Sequence, residues 1–367
     1  LLVRDGAKVV GLLGQLDLVS FVANHSHIVA LQVDEARSVD DLRAAAERID
    51  ATVGVLHEGG IRVERIARLV SELNGRLFAR LWSLLAPPDL VANSCLLVMG
   101  SEGRGEQILK TDQDNALLLR DGFSMEAGEL AAVAARFNAA LATFGYPLCP
   151  GDIMLTHPLW CQPLAAFKAS IAEWLYGGAG APEMEGPMRL AIFFDAAVVA
   201  GDAGLLDAAR GHLDALLVDN DAFLARFARA TDQFGDGSSW WTRLGWRRDE
   251  QGIDLKKLGI FPIVHGVRSM ALKHRVRASS TVARLQRLVA DGRLDAALAH
   301  DLEEALHFLM ALRLKNQLRQ RKAGEVPGNL VRPGDLDTLE RDPLQDSLAI
   351  VKRFRGFIGQ HFRLDSL

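Results

Sequence analysis

The chain has 367 residues, of which 49% are hydrophobic and 24% charged, and its formal net charge is -4. This length allows two or three domains with a sizeable core, and the small net charge gives no bias toward nucleic acid or a membrane surface. No apolar run approaches the roughly 20 residues that a membrane-spanning helix needs. The three cysteines lack CxxC spacing, so they predict neither a disulfide framework nor a zinc site and fit a cytoplasmic location.

The amino-terminal part predicts a small extended unit followed by long helices. The segment LLVRDGAKVVGLLGQLDLVSFV is typical of two short strands around the turn Asp5-Gly6, with a short helix after them. Further on, Ser38 and Asp41 form a capping-box pattern that predicts the start of a helix. Apolar residues then recur every three to four positions from Ile66 to Leu84, which predicts an amphipathic helix.

The middle of the chain alternates apolar runs with polar and helical segments. Ser94 to Met99 and Asn115 to Leu119 predict two short strands, and Met125 to Phe144 predicts a helix. The segment YPLCPGDIML predicts a turn and a third extended piece. After Pro163 the pattern is almost entirely helical.

Two acidic residues stand directly before the second of these strands, in the segment LLVMGSEGRGEQILKTDQDNALLLR. Side chains i and i+2 of an extended chain point the same way, so Asp112 and Asp114 are predicted to project together. Two neighbouring carboxylates repel each other when ionised, and a bound divalent cation removes that conflict. Mg²⁺ prefers carboxylate oxygens together with substrate phosphates, and a pair of such ions can assist a phosphoryl displacement.

The polar loop between the two strands supplies groups that suit a phosphate. Gly100 and Ser101 lie where the first strand ends, and backbone N–H groups at such a turn can bind phosphate oxygens. Arg104 and Lys110 lie in the same loop and could neutralise a triphosphate. The combination predicts a site for a nucleoside triphosphate together with Mg²⁺ or Mn²⁺.

This segment allows three other interpretations. DQDN is similar to the start of an EF-hand calcium loop, but Leu117 and Phe123 occupy the places of its glycine and glutamate. The glycines lack the G-x-x-x-x-G-K-[ST] pattern of a P-loop. Asp112 and Asp114 could also serve only as turn and cap residues beside a strand, and the residues alone leave that alternative open.

The segment GSEGRGEQILKTDQDNALLL closely resembles the signature of a bacterial nucleotidyltransferase family usually found behind CBS or cyclic-nucleotide-binding domains. That family is related to the PII-protein uridylyltransferases, within the DNA polymerase β-like superfamily. The likeness covers roughly Ile61 to Phe362, and further segments resemble family landmarks: YPLCPGDIMLTHPLW, LAIFFDAAVVAGD, GIDLKKLGIFPIVHGVRSMAL and SSTVARLQRL. The early segment KVVGLLGQLDLVSFV resembles the end of a CBS domain.

The resemblance implies a role for each residue of the segment. Asp112 and Asp114 would be the metal-binding, catalytic pair. The nucleotide phosphates would be bound by four residues of the loop: Gly100, Ser101, Arg104 and Lys110.

The superfamily usually adds a third carboxylate on a later strand. Asp195 is the first candidate for this catalytic acid. A lone acid on a long apolar stretch is costly to bury, so it is expected to have a specific role. Asp152 is the second candidate. Relatives often have an arginine two residues after the first of these acids, whereas this chain has Ala197 there, so the segment could instead carry a buried acid paired with a helix-borne arginine.

Two weaker patterns lie further along. SSWWTRLGWRRDEQGIDLKK interleaves tryptophans with basic residues, which suits a single-stranded nucleic acid but more often packs a helical subdomain under a basic rim. His265, on a predicted helix after Pro262, could meet the nucleotide base or the acceptor, or it could be a helical histidine with internal partners.

Together these observations predict an α+β fold with a small mixed-sheet domain of the polymerase β-like nucleotidyltransferase type. The predicted parts are a CBS remnant (1–35), a long helical connector (36–86), the nucleotidyltransferase domain (87–200) and a mostly helical carboxy-terminal domain (201–367). The predicted function is metal-dependent transfer of a nucleoside monophosphate from a nucleoside triphosphate to an acceptor. Kinship with the uridylyltransferases implies that the acceptor is a regulatory protein in signal transduction.

Two alternative functions stay open at this point. A nucleotide-sensing regulatory module coupled to CBS domains would bind nucleotide without turnover. An RNA-tailing enzyme would use the tryptophan-rich stretch and would bind single-stranded RNA with a steep salt dependence. The main prediction includes no nucleic-acid or membrane partner, and because CBS modules tend to pair, it allows a homodimer.

Overall fold

The computed structural model describes residues 2–6, 8–12, 27–126, 128–177, 185–218, 220–231 and 252–364. The two predicted amino-terminal strands, β1 (Leu2–Asp5) and β2 (Lys8–Leu12), pair antiparallel. They are joined by a turn at Gly6, whose φ of 61° favours glycine. The short helix predicted after them falls on residues outside the described ranges.

Three helices follow: α1 (27–35) lies in the predicted CBS remnant, and α2 (Val39–Glu58) and α3 (Val63–Leu85) lie in the predicted connector. The predicted capping box at the start of α2 is confirmed, because the Ser38 hydroxyl accepts from the N–H of Asp41 and the Asp41 carboxylate accepts from the N–H of Ser38. The apolar face of α3 is buried, as its periodicity predicts. The boundaries of the connector, 36–86, remain a prediction from the sequence.

A four-stranded mixed sheet follows. Its strands are β3 (Ser94–Val98), β4 (Asn115–Leu119), β5 (Cys161–Pro163) and β6 (Ala197–Gly201), in the order β5-β4-β3-β6. β3 pairs antiparallel with both β4 and β6, whereas β4 and β5 run parallel. Both β3 and β4 are buried at every position, which explains why their sequences are nearly continuous apolar runs.

Six helices lie between or beside these strands: α4 (Pro88–Ala92), α5 (Gly100–Gly103), α6 (Glu129–Thr143), α7 (Leu164–Tyr176), α8 (Glu185–Phe194) and α9 (Ala203–Leu216). The short α5 directly follows β3, and the chain then runs through a loop of irregular structure to β4. This connection places the end of β3 beside the start of β4, because the two strands are antiparallel neighbours.

Two of the strand predictions are corrected by the structure. The segment YPLCPGDIML forms turns and bends, and the third strand along this part of the chain is β5 instead. The region after Pro163, predicted as almost entirely helical, contains β6. Apolar residues, interrupted only by Asp195, cover the end of α8 and most of β6, so the local pattern does not separate them. Pairing with β3 decides which part is extended.

The carboxy-terminal region is mostly helical, as predicted. Its helices are α10 (Asp221–Arg229), α11 (Phe261–Lys273), α12 (Thr281–Ala290), α13 (Ala296–Lys322) and α14 (Thr338–His361). A π-helical turn, Lys256–Ile260, leads into α11, and two short strands, β7 (Ile253–Asp254) and β8 (Leu330–Val331), pair beside it. The predicted α+β fold class, with a small mixed sheet and a helical carboxy-terminal region, is confirmed. Within the described ranges, no helix has the length and apolar character needed to cross a membrane.

Candidate active site

Two acids and one thiol converge where the chain enters β4. Asp112 and Asp114 lie in the irregular chain immediately before this strand. Their carboxylate oxygens and the sulfur of Cys149 all lie within 4.8 Å of one another. The two acids therefore lie together, in agreement with their i, i+2 spacing. Cys149 belongs to the Pro-rich turn of YPLCPGDIML, and sequence reasoning gave it no role because that segment signalled only a turn.

The side chains that alternate with the two acids point into the protein and fix this segment. Gln113 and Asn115 are both buried. The Gln113 amide donates to the carbonyl oxygens of Asn138 at 3.1 Å and Tyr146 at 3.0 Å. The Asn115 side-chain oxygen accepts from the N–H of Leu155 at 2.9 Å. With every second residue held inside, the two aspartates have to face the opposite way.

Gly100 brings the end of β3 into contact with Asp114. Its φ is 59°, and a Cβ placed on it would lie 2.5 Å from Oδ2 of Asp114. The neighbouring Met99 N–H donates to the carbonyl oxygen of Asp114 at 2.9 Å. Glycine is required here for its backbone conformation and for the space it leaves. The next residue, Ser101, donates its hydroxyl to Oε1 of Gln107 at 3.1 Å.

The surroundings of Asp114 disfavour the ionised form of its carboxyl group. Burial, followed by the charge of Asp112, raises the pKa of Asp114 to about 6, against a hydrogen bond from Cys149 and the positive charges of Lys256 and Arg104. Burial also raises the pKa of Cys149 to about 11, so its thiol is neutral near pH 7. A divalent cation at this point would relieve the repulsion between the two carboxylates.

A small cavity of about 20 Å³ adjoins the acidic pair, with Met99 and Glu102 in its lining. This volume suffices for about one water molecule. Burial raises the pKa of Glu102 to about 8, and its carboxyl group accepts from the Asn74 amide of α3 at 3.2 Å. The cavity is therefore too small to hold a nucleotide.

The two loop cations predicted to bind phosphates are engaged elsewhere. Nη1 of Arg104 donates to Oδ2 of Asp195 at 2.6 Å. Nζ of Lys110 donates to the carbonyl oxygen of Ala46 at 2.9 Å and pairs with Asp50 of α2 at 3.2 Å. Their side chains are only 10% and 6% exposed. Both charges are paired and largely covered in this structure, and their assignment to the phosphates stays a prediction.

Asp195 lies outside the group formed by the two acids and Cys149. It is 0% exposed, and its oxygens accept from Arg104, from Nε of Arg268 at 3.2 Å and from Nη1 of Arg284 at 2.8 Å. Burial opposes its ionisation, but the three arginine charges hold the pKa of Asp195 well below its usual range. Both of its carboxylate oxygens are engaged by arginines, and its role as the third catalytic carboxylate stays a prediction. Asp152, the other candidate, is exposed and also lies outside the group.

His265 has internal partners on both ring nitrogens. Nε2 lies 2.7 Å from the carbonyl oxygen of Phe227, and Nδ1 lies 2.9 Å from Nη1 of Arg268. Burial lowers the pKa of His265 to about 3, so the ring is neutral. These contacts favour a structural role for this histidine. The tryptophans of the predicted nucleic-acid patch lie outside the described residues.

The small four-stranded mixed sheet and the helical carboxy-terminal region are consistent with a nucleotidyltransferase domain. Residues 47–181 match the family model described as "Putative nucleotidyltransferase DUF294". Residues 221–362 match a second model, described as "Putative nucleotidyltransferase substrate binding domain". The two models cover about three quarters of the chain, which therefore belongs to this nucleotidyltransferase family. No curated protein matches the chain.

Nucleotidyltransferase domains generally use divalent metal ions, and the residues at this site fit one. Asp112 and Asp114 offer converging carboxylate oxygens, which are the ligands that Mg²⁺ and Mn²⁺ prefer. The Cys149 thiol, which burial keeps protonated near pH 7, lies within 4.8 Å of the carboxylate oxygens of both acids. The sequence gives no signal for this contact, because Cys149 lies more than thirty residues further along the chain.

Proposed function

We propose that the protein transfers a nucleoside monophosphate from a nucleoside triphosphate to an acceptor hydroxyl, with release of pyrophosphate. The observation that carries this proposal is the convergence of Asp112 and Asp114 directly beside Gly100. These two acids would hold Mg²⁺ or Mn²⁺, which supplies charge neutralisation for the phosphates when it is bound.

The protein's own groups would position the two reactants. The first N–H groups of a helical turn have no intrahelical acceptor, so those of Gly100 and Ser101 would bind phosphate oxygens. The acceptor oxygen forms a bond to the α-phosphorus while the bond to the bridging oxygen breaks. Pyrophosphate leaves with that electron pair, and the hydroxyl proton passes to solvent. The rate gain would come from orientation and fixed charge.

The acceptor that we propose is a regulatory protein, with a role in signal transduction in the cytoplasm. The support for this part is the resemblance to the PII-protein uridylyltransferases. Because residues 221–362 match a putative substrate binding domain, we propose that the acceptor binds to the helical region. A homodimer is part of the same proposal, through the amino-terminal resemblance to a CBS domain.

The test is incubation of the purified protein with each α-labelled nucleoside triphosphate, Mg²⁺ or Mn²⁺, and cell lysate. We expect pyrophosphate release and a labelled macromolecule that protease digestion removes. Label that is sensitive to ribonuclease would support the RNA-tailing alternative. Bound nucleotide with neither pyrophosphate nor labelled product would contradict the transferase.

One observation favours a second candidate function, a nucleotide-sensing module without turnover. Asp195, the predicted third acid, has both carboxylate oxygens engaged by arginines. A site with only two acids could bind a metal-nucleotide complex without efficiently activating an acceptor. The experiment above separates the two functions, because a sensor binds the nucleotide and leaves it intact.

Replacing Gly100 with alanine is expected to weaken Mn²⁺ binding at least about tenfold, the size of effect seen when the support of a metal ligand is removed. The new methyl group would lie 2.5 Å from Oδ2 of Asp114, so that carboxylate has to move. The measurement is Mn²⁺ titration followed by electron paramagnetic resonance.

Gly122→Ala is the matched control for this variant. Its φ of 81° imposes a comparable backbone strain of about 1–2 kcal/mol, but a Cβ there meets nothing within 4 Å. We expect both variants to lose thermal stability through the strained backbone, and only Gly100→Ala to lose metal affinity. Equal Mn²⁺ affinity in the two variants would show that contact between Gly100 and Asp114 has no bearing on the metal.

A further inference from the structure

The loop that follows the Gly100-Ser101 turn is attached to the helical carboxy-terminal region by an acidic side chain, Glu106. Its Oε1 accepts from the backbone N–H of Thr281, the first residue of α12, at 2.7 Å. Its Oε2 accepts from Nε of Arg104 at 2.7 Å. The side chain is only 11% exposed, so solvent and salt screen these contacts little. Glu106 therefore joins two segments that are far apart in the sequence.

The same loop is bonded through its backbone to the two residues proposed to bind phosphate oxygens. The N–H of Arg104 donates to the carbonyl oxygen of Gly100 at 3.2 Å. The N–H of Glu106 donates to the carbonyl oxygen of Ser101 at 3.0 Å. A displacement of Glu106 would therefore be passed directly to the Gly100-Ser101 turn.

The turn is also held closely against the backbone at Asp195. A Cβ on Gly103 would lie 2.1 Å from the carbonyl oxygen of Asp195 and 2.8 Å from that of Val98, so only glycine fits there. The Asp195 carboxylate in turn accepts from Arg104 at 2.6 Å and from Arg284 of α12 at 2.8 Å. The helix α12 is therefore joined to this loop at a second point.

The negative charge of Glu106 separates positioning from direct recognition. A carboxylate does not bind a phosphate, because like charges repel. Charge alone predicts that neutralising Glu106 strengthens phosphate binding, and the more so because Arg104 loses a partner. Positioning of the turn predicts the opposite, so one substitution distinguishes the two effects.

We propose that Glu106 is a positioning residue, which fixes the N–H groups of Gly100 and Ser101 by tying their loop to the start of α12. This inference rests on the proposed function and adds that the helical region sets the geometry of the nucleotide site. The region that matches a putative substrate binding domain would thus affect nucleotide affinity through a single hydrogen bond.

The experiment compares the wild type with two variants, one from each side of this link. Glu106→Gln removes the charge that pairs with Arg104. Thr281→Pro removes the N–H that Glu106 accepts. Proline is tolerated at the first residue of a helix, and the preceding Ser280 already has the extended backbone that proline requires before it.

Glu340→Gln is the matched control. The Glu340 carboxylate also pairs with a cation, Lys315, at 2.5 Å, and it also accepts a backbone N–H at the start of a helix, that of Asp337 at 3.3 Å. Its side chain is 15% exposed, close to the value for Glu106. It lies on α14, away from the Gly100-Ser101 turn in the chain.

The probe is the manganese complex of inorganic tripolyphosphate, whose binding is measured by calorimetry, and the affinity for Mn²⁺ alone is measured beside it. Thermal melting shows that each variant folds. We expect Glu106→Gln and Thr281→Pro to weaken tripolyphosphate binding about tenfold or more, the equivalent of one charge-assisted hydrogen bond to the phosphates. Their affinity for Mn²⁺ alone should stay near that of the wild type, and Glu340→Gln should bind both probes as the wild type does.

A purely structural role would lower the melting temperature of the two variants and leave tripolyphosphate binding unchanged, which would overturn the inference. Tighter binding in Glu106→Gln would also overturn it and would indicate that the released Arg104 binds phosphate. Both results leave the proposed function standing. If Glu106→Gln does not fold, Thr281→Pro decides in the same way. Failure of the wild type itself to bind the probe would overturn the proposed phosphate site together with this inference.

Discussion

Replacing Asp114 with asparagine is expected to lower the rate of nucleotidyl transfer at least about 100-fold. A metal ion contributes several kcal/mol of charge stabilisation in a phosphoryl transfer, and each 1.36 kcal/mol corresponds to a factor of ten in rate. Asparagine keeps the shape of the side chain but offers only one neutral oxygen. The measurement is the initial rate of pyrophosphate release at saturating Mg²⁺.

The loss should not come from unfolding. Burial and the charge of Asp112 raise the pKa of Asp114 to about 6, so its ionised form is less favourable in the folded protein than in the unfolded chain. Replacing it with a neutral group is therefore expected to leave the free energy of unfolding unchanged or to increase it at pH 7. Asp342→Asn, an exposed acid on α14, is the control and should keep the wild-type rate. Wild-type turnover in Asp114→Asn would mean that the chemistry occurs elsewhere.

Asp195→Asn is expected to lower the free energy of unfolding by about 3–5 kcal/mol, the usual result of removing one member of a buried charge network. The carboxylate is 0% exposed and accepts from Arg104, Arg268 and Arg284. Asparagine would leave these guanidinium groups without the negative charge that compensates them. Because the pKa of Asp195 lies below its usual range, the stabilising contribution is complete at neutral pH and decreases only in strong acid.

Asp202→Asn provides the matched comparison at the other end of β6. Asp202 pairs with Arg120 at 2.7 Å, but both side chains are substantially exposed, so this ion pair contributes at most about 1 kcal/mol. Its second role is to cap α9, and asparagine caps a helix equally well. Urea unfolding of both variants should show a large shift only for Asp195→Asn. A similar small shift in both would mean that the arginine cluster does not hold the two regions together.

Much of the fold near the site was predictable because local and tertiary preferences agree there. The apolar runs of β3 and β4 are short, bounded by polar residues and buried on both faces, so the pattern of each marks a strand. β6 was missed because its apolar residues continue those of α8 without a turn signal. Only hydrogen bonding to β3, about one hundred residues earlier, selects the extended form.

The candidate site shows the same division. The i, i+2 spacing of Asp112 and Asp114 predicted their convergence, since that relation depends on the local backbone alone. Arg104 and Lys110 were assigned to phosphates because they lie near in sequence, whereas their partners Asp195 and Asp50 come from distant segments. Cys149 was not predicted for the same reason: what brings it to Asp114 is the tertiary fold.

The most direct measurement of the central claim is Mn²⁺ binding by electron paramagnetic resonance, with and without a non-hydrolysable nucleoside triphosphate. We expect the wild type to bind Mn²⁺, to bind it more tightly when the nucleotide is present, and to lose both properties in the double variant Asp112→Asn/Asp114→Asn. If the double variant bound Mn²⁺ and nucleotide as the wild type does, the paired acids would not be the metal site. The proposed transfer would then have no catalytic site.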